Sequence, residues 1–150
     1  MDYKKDTYGK ECLNLAAMSK SNMKFGAIVV RDAQIIGKGW NRLATKEDRG
    51  IIPHVDYCIH SEQAAILDAI LRDEPLINAK VYVLGYGARN GILSTREGKY
   101  FTCKRCSKSL VKFDLPVMIP TPTGWVELSP EEATESAKYH KGYWQEHIKK

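Results

Sequence analysis

The chain has 150 residues, 43% apolar and 27% charged, with a net charge of +5. That length fits one domain spanning 1–150 with a core built without disulfides, and the short apolar runs exclude a membrane-spanning helix. Four cysteines with no apolar secretion signal ahead of them point to a cytoplasmic protein whose thiols are free or bind metal. The charge suits a solvated surface or an anionic substrate and does not choose between them.

Residues 1–6 loosely resemble an epitope tag but do not match one, and are read as native. The spacing of Cys12, Leu13, Leu15, Ala16 and Met18 predicts a helix over 8–19. Residues 25–30 and 34–40 read as two strands joined by a tight turn at 31–33, with Asp32 suited to the turn. Residues 41–57 hold Gly50, Pro53 and several charges without periodicity, so a long connection is expected there. Residues 61–72 are dense in Ala, Ile and Leu, which predicts a helix buried on most sides. A third strand is expected at 80–84, a second long loop at 85–101, a helix at 103–113 and a fourth strand at 116–119. The turn residues at 121–124 then allow a fifth strand at 125–128. Ser129, Pro130 and Glu132 form the N-cap, first helical position and capping box of a last helix running towards Ile148. This order implies a layered α/β domain with a mixed sheet, the strands separated by helices being parallel.

Two stretches carry chemistry. The first is His60-Ser61-Glu62, and the second is Cys103-x-x-Cys106. One imidazole and two thiols make three zinc ligands, leaving an open position and a carboxylate free to move protons. Glu62 lies two residues after His60, so both address one site only if His60 sits at the non-helical start of its helix. Cys103 and Cys106, three apart, share one face of a first helical turn, where the dipole favours thiolates. Cys58 is a competing ligand, though packing suits it better, and Cys12 belongs to a core face. His54 reads as a substrate contact or a solvated loop residue, and His140 and His147 as surface residues. Trp125, Tyr139, Tyr143 and Trp144 suit packing or an oligomer contact, which makes a homo-oligomer the expected assembly.

These motifs, with the hairpin residues Gly26 to Val30 and Ile36 to Asn41 and the order of elements, resemble the cytidine and deoxycytidylate deaminase superfamily over residues 8–120. The resemblance implies a three-layer α/β/α fold with a central mixed sheet of about five strands. It implies Zn2+ on His60, Cys103 and Cys106, and Glu62 as the proton carrier of a hydrolytic deamination. Asn41, Ser61 and Thr102 would contact the substrate. The chain departs from the pattern at Ser61, where a smaller residue is usual, and at Thr102, where proline is usual and threonine would serve as an N-cap instead.

A free pyrimidine nucleotide of the dCMP type is the first choice of substrate. The run 55–60 resembles that branch's approach to its zinc histidine, and Arg42, Lys46, Arg49, Arg89, Arg96 and Lys99 in the two loops offer cations for a phosphate. A tRNA or single-stranded nucleic acid is the second choice. An antiparallel fifth strand would instead be similar to free nucleoside deaminases. A non-catalytic zinc module is the third class, against which Glu62 speaks. No membrane partner is expected.

Overall fold

The computed structural model describes residues 1–95 and 102–137. Arg96, Lys99 and the expected extension of the last helix, with Tyr139, His140, Tyr143, Trp144 and His147, lie outside the described residues.

Helix α1 (Thr7–Ala16) begins on Asp6, whose carboxylate accepts the Gly9 N–H at 2.9 Å. Strands β1 (Met23–Arg31) and β2 (Gln34–Trp40) form the expected antiparallel hairpin. Its two-residue turn places Asp32 and Ala33 at φ 51° and 62°, the primed geometry that matches strand twist. The next strand of the sheet, β5 (Lys80–Gly87), lies against the other edge of β1 and antiparallel to it. It therefore points the same way as β2 but with β1 between them, and the parallel pairing expected across the intervening helix does not form there. The parallel neighbour of β5 is β6 (Val117–Thr121). Strand β7 (Gly124–Leu128) returns antiparallel on β6, giving the order β2-β1-β5-β6-β7.

Alternation along β1 assigns the layers. Ile28 and Val30 join Tyr3, Cys12 and Leu84 beneath α1. Ala27 and Val29 face the other way, into the larger core shared with helices α3 (Ser61–Leu71), α4 (Lys104–Phe113) and α5 (Pro130–Ala137). The result is the three-layer α/β/α arrangement with a five-stranded mixed sheet. Glycines set the layer spacing: a Cβ on Gly26 would lie 1.9 Å from the Cys12 carbonyl oxygen of α1, and one on Gly39 would lie 2.4 Å from the Ala65 nitrogen of α3.

The connection 41–57 is more ordered than its composition suggests. Strands β3 (Arg42–Leu43) and β4 (Cys58–Ile59) pair antiparallel, and a short helix α2 (Lys46–Ile51) stands between them. Its capping box, Thr45 with Asp48, closes reciprocally, and Asp48 also takes Arg42 Nη1 at 2.7 Å. The Ser129/Glu132 capping box at the start of α5 forms as expected, with both bonds near 3 Å (3.0 and 3.1 Å).

The N-terminal residues are built into the fold. Tyr3 is 1% exposed, donates its hydroxyl to the Thr121 carbonyl at 2.6 Å and packs edge-on against Trp125. Trp125 in turn packs on Tyr82 and donates to Asp6, so its role among the described residues is packing. No helix among the described residues is long and apolar enough to cross a membrane.

Candidate active site

Strands β5 and β6 run parallel and end at the same edge of the sheet, the usual place for a ligand crevice in an α/β sheet. There α3 and α4 begin side by side. His60 is the N-cap of α3 and Cys103 the N-cap of α4, both with extended backbone. This non-helical start lets His60 and Glu62 address one place despite their spacing. A cavity of ≈ 220 Å³ opens between them, lined by Phe25, Asn41, His60, Ser61, Glu62, Val83, Leu84, Ser94, Thr102, Cys103, Ile119 and Pro120.

His60 Nδ1 lies 3.1 Å from Cys106 Sγ and 3.2 Å from Cys103 Sγ. The three donor atoms fall within 4.8 Å of one another and are the group among the described residues able to hold a metal ion. A tetrahedral ion with bonds of about 2.0 Å to nitrogen and 2.3 Å to sulfur spaces its ligands about 3.5 Å apart. The donor set therefore fits zinc in kind, in number and within a few tenths of an ångström in spacing.

The three donors shift one another's proton affinities through their mutual hydrogen bonds and burial. A hydrogen bond from Cys106 is the main reason the Cys103 thiol is lowered to about 3, helped by His60. The same bond pushes Cys106 well up, with burial adding to it and Glu62 contributing further. His60 is raised, chiefly by its hydrogen bond with Cys103, against the opposing effect of burial. The Cys106 backbone N–H also reaches Cys103 Sγ at 3.4 Å. Glu62 is 9% exposed, and one of its carboxylate oxygens accepts the Ser61 hydroxyl at 2.8 Å.

The remaining sequence expectations separate cleanly. Asn41 lines the cavity, but its amide also clips the edge of β1: Oδ1 accepts the Phe25 N–H and Nδ2 donates to the Met23 carbonyl, each at 2.9 Å. Thr102 lines the cavity without capping α4, because Cys103 occupies the cap and the Thr102 hydroxyl turns to the Ala133 carbonyl of α5 at 3.4 Å. Cys58 is exposed, neither packed nor part of the donor trio, whereas Cys12 is buried in the core. His54 is exposed on its loop. Arg42 is bound to Asp48 and is not a free cation for a phosphate.

Sequence reasoning missed Phe25 and Gln63. Phe25 pairs with Gly85 across the β1/β5 ladder, and a Cβ on Gly85 would lie 2.4 Å from the Phe25 ring; the glycine makes room for an aromatic wall. Only long-range register reveals that pair. Gln63 had a local signal, a polar side chain at the third position of the helix, where it can reach back to the backbone of His60.

Among curated proteins none matches the chain. A family model, the cytidine and deoxycytidylate deaminase zinc-binding region, matches residues 2–119. Among solved structures the chain is similar to the dCMP deaminase of cyanophage S-TIM5 in apo form, at 21% identity and a TM-score of 0.50, covering 72% of this chain and 74% of that one. The complex of that enzyme with dCMP and dUMP matches at 22% identity, with the same TM-score of 0.50 and the same coverage of 72% and 74%. A cytidine deaminase from Burkholderia pseudomallei matches at 17% identity and a TM-score of 0.55, covering 83% and 91%. At such identities these structures speak for the fold, while the family model spans most of the sequence and both metal-ligating stretches. The chain belongs to the cytidine and deoxycytidylate deaminase zinc-binding family.

Proposed function

We propose that the chain catalyses hydrolytic deamination of the cytosine ring of a free pyrimidine nucleotide or nucleoside, giving uracil and ammonia. The observation that carries this reading is a nearly buried carboxylate, Glu62, beside a His/Cys/Cys donor set in one cavity. A purely structural zinc site takes four protein ligands, and three stand together among the described residues.

His60, Cys103 and Cys106 would hold zinc, which when bound would lower the pKa of a water towards neutrality. Glu62 would take a proton from the attacking water and pass it to the ring nitrogen beside the amino-bearing carbon. It then carries the second proton to the departing amine, so that the water oxygen ends on the carbon and its two protons on the ring nitrogen and on ammonia. Ser61 and Thr102 line the cavity where they meet the ring, and Phe25 offers it an apolar wall. Asn41 keeps one N–H and one lone pair beyond its bonds to β1, enough to hold a sugar hydroxyl. The cavity, at ≈ 220 Å³, is below the roughly 300–1,000 Å³ of typical ligand pockets; it suits one base with its sugar at the mouth.

The group at the sugar's 5′ end divides two readings. A dCMP-type nucleotide is supported by the run 55–60. A free nucleoside is favoured by the antiparallel return of β7 on β6 and by a described cavity wall without Lys or Arg. Ammonia release from dCMP, dCTP, cytidine, cytosine, guanine and a tRNA panel decides between them. Turnover of dCMP well above cytidine selects the nucleotide, and the reverse selects the nucleoside. Activity on tRNA alone overturns both. Replacing Glu62 with Gln is expected to cut kcat by about 10²–10⁴-fold while the purified protein keeps its zinc; an unchanged rate would remove Glu62 from the proton path.

A further inference from the structure

Gln63 is 0% exposed at the start of α3, yet both ends of its amide are engaged. Its Oε1 accepts the backbone N–H of His60 at 3.1 Å, and its Nε2 donates to Ser109 Oγ at 3.2 Å. Ser109 is itself 0% exposed and sits on α4 three residues after Cys106, one turn further along the same face. The Ser109 hydroxyl lies 3.2 Å from the Arg105 carbonyl and 3.5 Å from that of Pro53. A continuous path of buried polar contacts therefore joins the main chain of one metal ligand, His60, to the helical turn that carries another, Cys106.

We propose that Gln63 is a positioning residue for the metal site, a strut that fixes the start of α3 against α4 and so sets the separation of His60 from Cys106. The role rests on the zinc-site reading above. An apolar residue would fill the same space in the core, as Ala64, Ala65 and Ile66 do beside it. An amide at this position adds directed bonds at both ends, and those bonds terminate on the two elements that must stay in register for one ion to reach all three donors. Partners that orient metal ligands in this way are worth about 10–100-fold in metal affinity.

The test is the zinc dissociation constant of the full chain, measured by competition with a chromophoric chelator, together with the absorption bands of the cobalt(II)-loaded protein. Gln63→Met keeps the length of the side chain and removes both bonds. It is expected to weaken zinc binding by about 10–100-fold and to shift the cobalt bands. Ser109→Ala removes only the far anchor and is expected to weaken binding less, and the double variant to be no worse than Gln63→Met alone. A buried glutamine with a merely structural role gives a different result: a lower melting temperature of the metal-free protein with unchanged zinc affinity and cobalt spectrum, which overturns the proposal. Should Gln63→Met fail to fold, Ser109→Ala decides by itself, since unchanged affinity in that variant also overturns it. A wild-type chain that binds no zinc would instead sink the metal-site reading, so the two failures are distinguishable.

Discussion

A single hydroxyl at position 61 changes what its neighbour can do. Ser61 is 1% exposed and donates to Glu62 Oε1 at 2.8 Å. That bond constrains the plane of the carboxylate proposed as the proton carrier. A hydrogen bond to a charged group is worth about 1.5–3 kcal/mol, so Ser61→Ala is expected to lower kcat roughly tenfold or more with little change in zinc content. Steady-state kinetics with metal analysis checks this, and an unchanged kcat would mean that Glu62 is held by its other contacts. The cysteines show why residue type alone does not define a site. Burial drives the Cys12 thiol far up, while the hydrogen bond from Cys106 brings Cys103 down to about 3. Spacing made Cys103 and Cys106 legible as a pair, and His60 with Glu62 favoured metal binding over the redox use that two thiols three apart also serve. The side-chain bonds of Asn41 to Met23 and of Thr102 to Ala133 were not legible, since those partners lie on other elements.

At the scale of elements, the site depends on how closely α3 approaches the sheet. A Cβ at Gly39 would sit 2.4 Å from the Ala65 nitrogen and 2.6 Å from the Ala64 carbonyl carbon, and backbone atoms do not yield as a flexible side chain would. Gly39→Ala must therefore push α3 outwards, carrying His60 and Glu62 with it. We expect a loss of about 1–3 kcal/mol in stability, typical of overpacking, together with weaker zinc binding. Denaturant unfolding and chelator competition measure the two separately. If only stability falls, the sheet absorbs the strain and the site does not. Local signals made most elements readable: the β1/β2 hairpin, the run of small apolar residues in α3 and the capping box of α5 all form where expected. Helix α2 was hidden because four of its six residues are charged, which leaves no apolar periodicity, and it depends on the Thr45/Asp48 box and the Arg42 ion pair. The place of β5 beside β1 was hidden for another reason. Its apolar run marks a buried strand but carries no record of which edge it joins.

For the molecule as a whole, metal binding ties folding to pH. The trio draws on two helices that meet only in the folded chain, so zinc held there would bind the native state and stabilise it by mass action. The proton balance follows from the site. Cys103, lowered chiefly by its hydrogen bond from Cys106, is expected to be the thiolate of the pair and to release little on binding in the neutral range. Cys106, raised by its hydrogen bond with Cys103 and by burial, gives up one proton, and His60, raised above its usual 6.5, gives up part of another. Protons compete with zinc on the two raised groups, so affinity climbs with pH. The climb is steepest while His60 is still protonated and shallower once only Cys106 has a proton to lose. Calorimetric zinc titrations at neutral pH, in buffers of different ionisation enthalpy, are expected to report between about one and two protons released per ion. The gap between melting temperatures with zinc and with chelator is expected to widen as pH rises. Zinc binding without proton release, or a gap that narrows over that range, would show that the metal-free trio does not share its protons in this way.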